Sequence, residues 1–219
     1  MLIEFDASTY WQRSDRFGPK MGFCLANQRP GTNKFFYVVI PKNASSFVTV
    51  GIKELGWSSA YFQEIYKPGR EQKALVILRD PMDRWISGIV QYLSMYHFTT
   101  ISTITKDIFE LLVDKVVFDD HTECQTYYLN GLETADCIFL NDKNNLRGSL
   151  HKVLVEKFFE NNSTFNKIDN LNAAERSVAH KKFKEEILFH LNNNSTAIEK
   201  IKSYYKKDYD LINSVHYEN

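Results

Sequence analysis

Six side chains in this sequence are suited to gripping an oxyanion, and they fall in two clusters: Lys42, Ser45 and Ser46, then Arg79, Arg84 and Ser87. An ammonium supplies a full charge, hydroxyls supply short donors, and guanidinium groups hold tetrahedral oxyanions through paired N–H bonds. Each cluster follows an apolar run. Phe35-Phe36-Tyr37-Val38-Val39-Ile40 leads into Pro41-Lys42-Asn43-Ala44-Ser45-Ser46. Ala74-Leu75-Val76-Ile77-Leu78 leads into Arg79-Asp80-Pro81-Met82-Asp83-Arg84-Trp85-Ile86-Ser87. The chemistry indicated is recognition of a phosphate or sulfate-like group.

Both runs are short, aromatic and β-branched, which predicts strands buried on both faces. Pro41 stops the first, because proline has no N–H for a sheet ladder. Phe47 to Leu55 can continue as a helix. A strand, a polar turn and a helix start make an anion site from unpaired backbone N–H groups and the positive end of the helix dipole. The turn differs from the common nucleotide-binding loop, having no glycine and its lysine first. Alone, it reads equally well as an ordinary strand-to-helix turn with a serine N-cap. In the second cluster, Asp80 suits an N-cap and Pro81 the first helical position. Arg84 and Ser87, three apart, share a face of that helix, and Arg79 at the strand's end can reach the same place. The plainer alternative pairs Arg79 and Arg84 with Asp80 and Asp83 on the surface. Two anion sites at the ends of two consecutive strands favour the first reading.

The two motifs together resemble the sulfotransferases that use 3′-phosphoadenosine 5′-phosphosulfate. The pattern P-K-x-x-[ST]-[ST] is met by Pro41 to Ser46, and R-D-P-x-x-R-x-x-S is met in full by Arg79, Asp80, Pro81, Arg84 and Ser87. The first motif departs from the family's common lysine-threonine/serine-glycine-threonine form and resembles the glycine-free version of the Golgi carbohydrate sulfotransferases. The resemblance implies that Pro41, Lys42, Asn43, Ala44, Ser45, Ser46 and Phe47 hold the 5′-phosphosulfate end. It implies that Arg79 and Ser87, with Arg84 beside them, hold the 3′-phosphate. It also implies a P-loop-like α/β fold, with a parallel sheet in the middle layer of three, and no metal. It covers roughly residues 34 to 215, because the tyrosine-rich segment Ile201 to Ile212 also resembles the family's closing helix.

Composition fits one α/β domain over residues 1–219. The 219 residues are 43% hydrophobic, enough for a real core. Lys+Arg and Asp+Glu are both 27, so the zero net charge argues against general binding of nucleic acid. The three cysteines, Cys24, Cys124 and Cys137, lack metal-ligand spacing, so free thiols in a reducing compartment are expected. Met1 to Asp6 turns polar at once, and no run of about 18 apolar residues offers a membrane span. Asn43-Ala44-Ser45 is formally a glycosylation sequon, yet a glycan there would block the loop, which again favours a cytoplasmic protein.

Along the chain, Met21 to Ala26 predicts an edge strand and Arg29 to Thr32 a turn, with Tyr10 and Trp11 capping the core. Trp57 to Arg70 reads as a loop-like connection. Helices are expected from Pro81 to about Tyr96, from Lys106 to Val117 and from Leu146 to Phe159, with a strand at Asp136 to Leu140. The remainder reads as helices from Ala173 to Leu191 and from Thr196 to about Val215, with breaks at Asn161 to Thr164 and Asn192 to Ser195. Strand–helix alternation calls for a parallel sheet with right-handed crossovers.

Sulfuryl transfer, like phosphoryl transfer, needs little covalent work from the protein. It needs charge stabilisation on the leaving phosphate, for which Lys42 is best placed, and a base for the acceptor hydroxyl or amine. His121 is the first candidate base. An imidazole titrates near neutrality, and Asp119 or Asp120 could orient it and raise its basicity. The alternative is that His121 is simply hydrogen-bonded in a capping cluster. Glu64 and His97 are the other candidates, and His151, His180, His190 and His216 read as bystanders. The acceptor is expected to be a carbohydrate or small metabolite. The competing readings are a non-catalytic binding or assembly module of the same fold and, less favoured, a nucleotide-dependent kinase.

Overall fold

The computed structural model describes residues 23–27, 35–97, 99–143, 145–158 and 178–218, apart from the side chains of Phe62 and Gln63. The expectations for Tyr10, Trp11, Arg29 to Thr32 and Asn161 to Thr164 lie outside these residues. The chain packs as two compact units, each drawn from separated stretches. One contains Phe17–Arg79, Gln125–Ala173 and Ser214–Asn219, the other Asp80–Cys124 and Ala174–Asn213, so far as these are described.

The first unit is built on a sheet. Its elements are β1 (Phe23–Ala26), β2 (Phe35–Val38), α1 (Ser45–Glu54), β3 (Ser58–Tyr61), α2 (Phe62–Ile65) and β4 (Lys73–Leu78). After the chain returns from the other unit come α5 (Gln125–Tyr128), β5 (Cys137–Asn141) and α6 (Leu146–Glu156). The strand order is β3-β1-β2-β4-β5. The pairs β2–β4 and β4–β5 are parallel, with Phe36 opposite Ala74 and Leu75 opposite Ile138. Leu75 and Ile77 of β4 and Tyr37 of β2 meet Val48 and Ile52 of α1 and Leu150 and Leu154 of α6 in one apolar core. Ala74, Val76 and Leu78, on the opposite face of β4, are buried as well, as expected of a strand whose sequence is apolar without alternation.

The sheet is mixed, which corrects the expectation of a purely parallel one. β1 runs antiparallel to both β2 and β3. Only residues 27–34 join β1 to β2, and a parallel crossover needs about a dozen or more. β1 is also interior rather than at the edge, because β3 forms outside it. The segment expected as a loop after Trp57 supplies that edge strand, whose residues alternate between half-buried and exposed. No apolar run marks it, since Ser58 and Ser59 have little β-propensity.

The second unit is helical: α3 (Pro81–Tyr96), α4 (Lys106–Lys115), α7 (Val178–Asn192), α8 (Ser195–Tyr204) and α9 (Lys206–Ser214). Asp80 caps α3 by accepting from the Asp83 amide at 3.0 Å, with Pro81 opening the helix, as the sequence predicts. Trp85, Ile89 and Leu93 of α3, Phe109 and Leu112 of α4, and Phe183, Ile187 and Ile201 form its core. α4 stops before the expected Val117 because Val116 takes φ 59, which no helix accommodates. The single closing helix expected from Thr196 is two helices that meet at Tyr205, whose hydroxyl donates to the Thr122 carbonyl. No described helix is long and apolar enough to cross a membrane.

Candidate functional site

In the sheet unit, the chain leaves β2 and turns tightly, with the Asn43 amide donating to the Ile40 carbonyl at 3.3 Å. Lys42 and Ala44 both stand in left-handed backbone, at φ 68 and φ 56. Such values are uncommon away from glycine, and persist where the surroundings over-determine them. Ala44 is the N-cap of α1, and no side chain caps that terminus. The serine cap of the plainer alternative is therefore absent: Ser45 and Ser46 lie inside the first turn, Ser45 half-buried and Ser46 exposed. The first-turn amides and the positive helix end face whatever occupies the space before them.

What holds this turn in shape is Asn43, which is wholly buried. Its Nδ2 donates to the Ile77 carbonyl of β4 at 2.8 Å and to Oε1 of Gln125 at 2.6 Å. Among the described residues, Asn43 Oδ1 meets no donor. Gln125, also wholly buried, receives the Arg79 amide on the same Oε1 at 3.0 Å and returns Nε2–H to the Arg79 carbonyl at 2.8 Å. Arg79 itself reaches the turn, its guanidinium donating to the Lys42 carbonyl at 2.9 Å. Its Nε stands 3.3 Å from Asp142 Oδ2, just past β5. Asp142, and not Asp80, is thus the acidic partner of Arg79. The Arg147 guanidinium stands over the ring of buried Phe47, 5.4 Å from its centroid, one residue past Ser46. Pro41 and Lys42 are half-buried, and Glu64 is exposed on α2.

In the helical unit, Arg84 corrects the sequence reading. Its side chain is 1% exposed, and the guanidinium donates to the carbonyls of Glu123 and, at 3.2 Å, Asp120. Committed to backbone carbonyls, it serves as an internal tie and does not present itself to an oxyanion. Ser87, one turn on, is half-buried. Next to it, a side chain at Gly88 would collide with the carbonyl of His121, so α3 seats the 118–123 loop directly. Within that loop the Thr122 hydroxyl accepts from the Phe118 and Asp119 amides at 2.8 and 3.1 Å, and Asp119 Oδ1 accepts from the His121 amide at 3.0 Å. Such short side-chain bonds favour turns over helix.

This loop presents one imidazole. His121 Nδ1 lies 2.9 Å from Asp119 Oδ2 and 3.1 Å from Asp120 Oδ1. Burial works against its charge, but the hydrogen bonds and charges of the two carboxylates outweigh it and push the ring up to about 9. At neutral pH it is therefore an imidazolium. Asp119, Asp120 and His121 offer ligand atoms within 4.8 Å of one another, a grouping at metal spacing that the sequence reading did not expect. His97 behaves oppositely. Its Nε2 stands 3.1 Å from the Tyr92 hydroxyl, and burial lowers it below the ordinary imidazole value, leaving it neutral. His190 hydrogen-bonds the Ile104 carbonyl at 2.7 Å, a structural role. Burial pushes the three free cysteines up to about 12, which makes them poor nucleophiles.

The structure thus ties Lys42, Asn43 and Arg79 together through hydrogen bonds in the sheet unit, with Ala44, Ser45 and Ser46 following Asn43 along the chain. Ser87, His97 and His121 stand in the helical unit. Sequence reasoning missed Gln125, Asp142 and the stacking of Arg147. Gln125 left a trace as the end of the polar stretch from Asp119, and Arg147 as a two-residue pattern with Gly148 too short to decide anything.

No family model matches this chain. Neither does any curated protein or solved structure.

Proposed function

We propose that this protein is a sulfotransferase that takes the sulfuryl group of 3′-phosphoadenosine 5′-phosphosulfate to a hydroxyl or amine of a carbohydrate or small metabolite. The observation that carries the reading is the backbone of Ala44. In the common form of the first motif this position is glycine, the residue that adopts positive φ without steric cost. Ala44 keeps that left-handed conformation, at φ 56, without the glycine. A backbone held against its own preference beside an uncapped helix start supports an anion-binding turn.

In this reading the Ser45 and Ser46 hydroxyls and the first-turn amides of α1 hold the 5′ end, and Lys42 balances charge on the leaving phosphate. Arg79 serves the 3′-phosphate. His97, Glu64 and His121 are the candidate bases, and His121 would act as one only after losing its proton.

Calorimetric titration with adenosine 3′,5′-bisphosphate, with 5′-AMP as control, tests the reading. Micromolar binding of the bisphosphate and much weaker binding of 5′-AMP is expected, and binding of neither would overturn it. One observation favours a non-catalytic module instead: Arg79 is already paired with Asp142 and the Lys42 carbonyl. That alternative predicts bisphosphate binding without sulfuryl transfer to any acceptor.

A further inference from the structure

Gln125 has three strong, directional bonds and no place in either motif. Its amide oxygen takes two donors, the Asn43 side chain and the Arg79 amide, and its amide nitrogen gives one bond to the Arg79 carbonyl. The last two are the pair of bonds that a neighbouring strand would make, so the side chain continues the β4 ladder one residue beyond Leu78. The first reaches across to the turn after β2. Asn43 in turn holds the Ile77 carbonyl, so the two crossing points at the end of β4 lock one another.

We propose that Gln125 is a positioning residue for the donor site: it holds the 42–46 turn and Arg79 in fixed register, so that the two ends of one nucleotide meet a preformed pair of anion sites. This rests on the donor-site reading above. Only a primary amide in this orientation satisfies all three partners. A carboxylate would set an acceptor against the Arg79 carbonyl and add negative charge beside a turn meant for an anion. A methionine would fill the space and leave three buried groups without their bonds.

The test compares wild type with Gln125→Met and Gln125→Glu, well below the unfolding temperature of each. Two readouts are taken: affinity for adenosine 3′,5′-bisphosphate from pH 5 to 8, and hydrogen exchange of the amides at 43–47 and 79. Gln125→Met is expected to bind roughly 10–100-fold more weakly at every pH. It should also exchange faster at 43–47 and 79, with the rest of the sheet unit unchanged. Gln125→Glu should be weakest at pH 8 and, relative to wild type, recover as its carboxyl protonates and regains a donor. Loss of folding stability with unchanged affinity and unchanged exchange at 43–47 would make Gln125 a packing residue and overturn the proposal. If wild type itself binds no bisphosphate, the donor-site reading fails separately. The exchange comparison then still decides whether Gln125 holds the turn.

Discussion

His121 and Asp119 are joined twice within three residues. The imidazole Nδ1 lies 2.9 Å from Asp119 Oδ2, while the His121 amide donates to Asp119 Oδ1 at 3.0 Å. The ring is therefore fixed in orientation by the same carboxylate that shapes its backbone, and Asp120 adds a second charge.

This arrangement has a pH signature. The folded ring titrates near 9 and an unfolded histidine near 6.5, so the imidazolium stabilises the fold fully below about pH 6.5. That stability is lost as pH rises through about 9. The thermal midpoint of wild type should fall across this window, and His121→Gln should show a flatter profile. Equal slopes in the two proteins would mean that the ring is not held charged. If His121 is the base, turnover should instead rise toward pH 9.

Lys42→Ala should abolish sulfuryl transfer while leaving the circular dichroism spectrum and most of the bisphosphate affinity intact. The ammonium is asked to stabilise charge that develops during transfer, which ground-state binding barely uses. Single-turnover measurement decides this, and unchanged turnover would sink the assignment.

Position 44 separates backbone from side chain. Ala44→Gly should keep bisphosphate affinity, because glycine reaches φ 56 without strain. Ala44→Val should destabilise by about 1–3 kcal/mol, since a β-branched residue resists left-handed backbone, and should lose most of the affinity. Wild-type affinity in the valine variant would show that the turn's conformation is not what the ligand requires.

The two arginines should part company. Arg84→Met removes a buried tie to the carbonyls of Glu123 and Asp120 and should cost about 3 kcal/mol of stability. Arg79→Ala should cost less stability, its side chain being 27% exposed, and should lose about 10–100-fold in bisphosphate affinity. Denaturant titration beside calorimetry checks both. The opposite ranking would return Arg84 to the ligand.

The parts of the structure legible in the sequence were those set by local rules. β2 and β4 announce themselves as apolar runs, and Asp80-Pro81 opens α3 as its chemistry requires. Long-range choices were not legible. The antiparallel placement of β1 depends on a short connection, and β3 has no apolar pattern to reveal it. Arg84 shows the limit most directly. An arginine that grips a phosphate and one that grips two carbonyls look alike in one dimension. Gln125 was invisible as a site residue for the related reason that its partners, Asn43 and Arg79, are 82 and 46 positions away.

The chain order of the two units bears on synthesis. β5 completes the mixed sheet only after residues 80–124 have been made, and those residues meet α7, α8 and α9 only once 178–213 have followed. Neither unit is a continuous fragment, so neither can finish folding before its last stretch has been made. Until β5 has been made, β4 offers an unpaired apolar edge. That interval of exposure, set by connectivity and not by final stability, is where aggregation during expression is expected to begin.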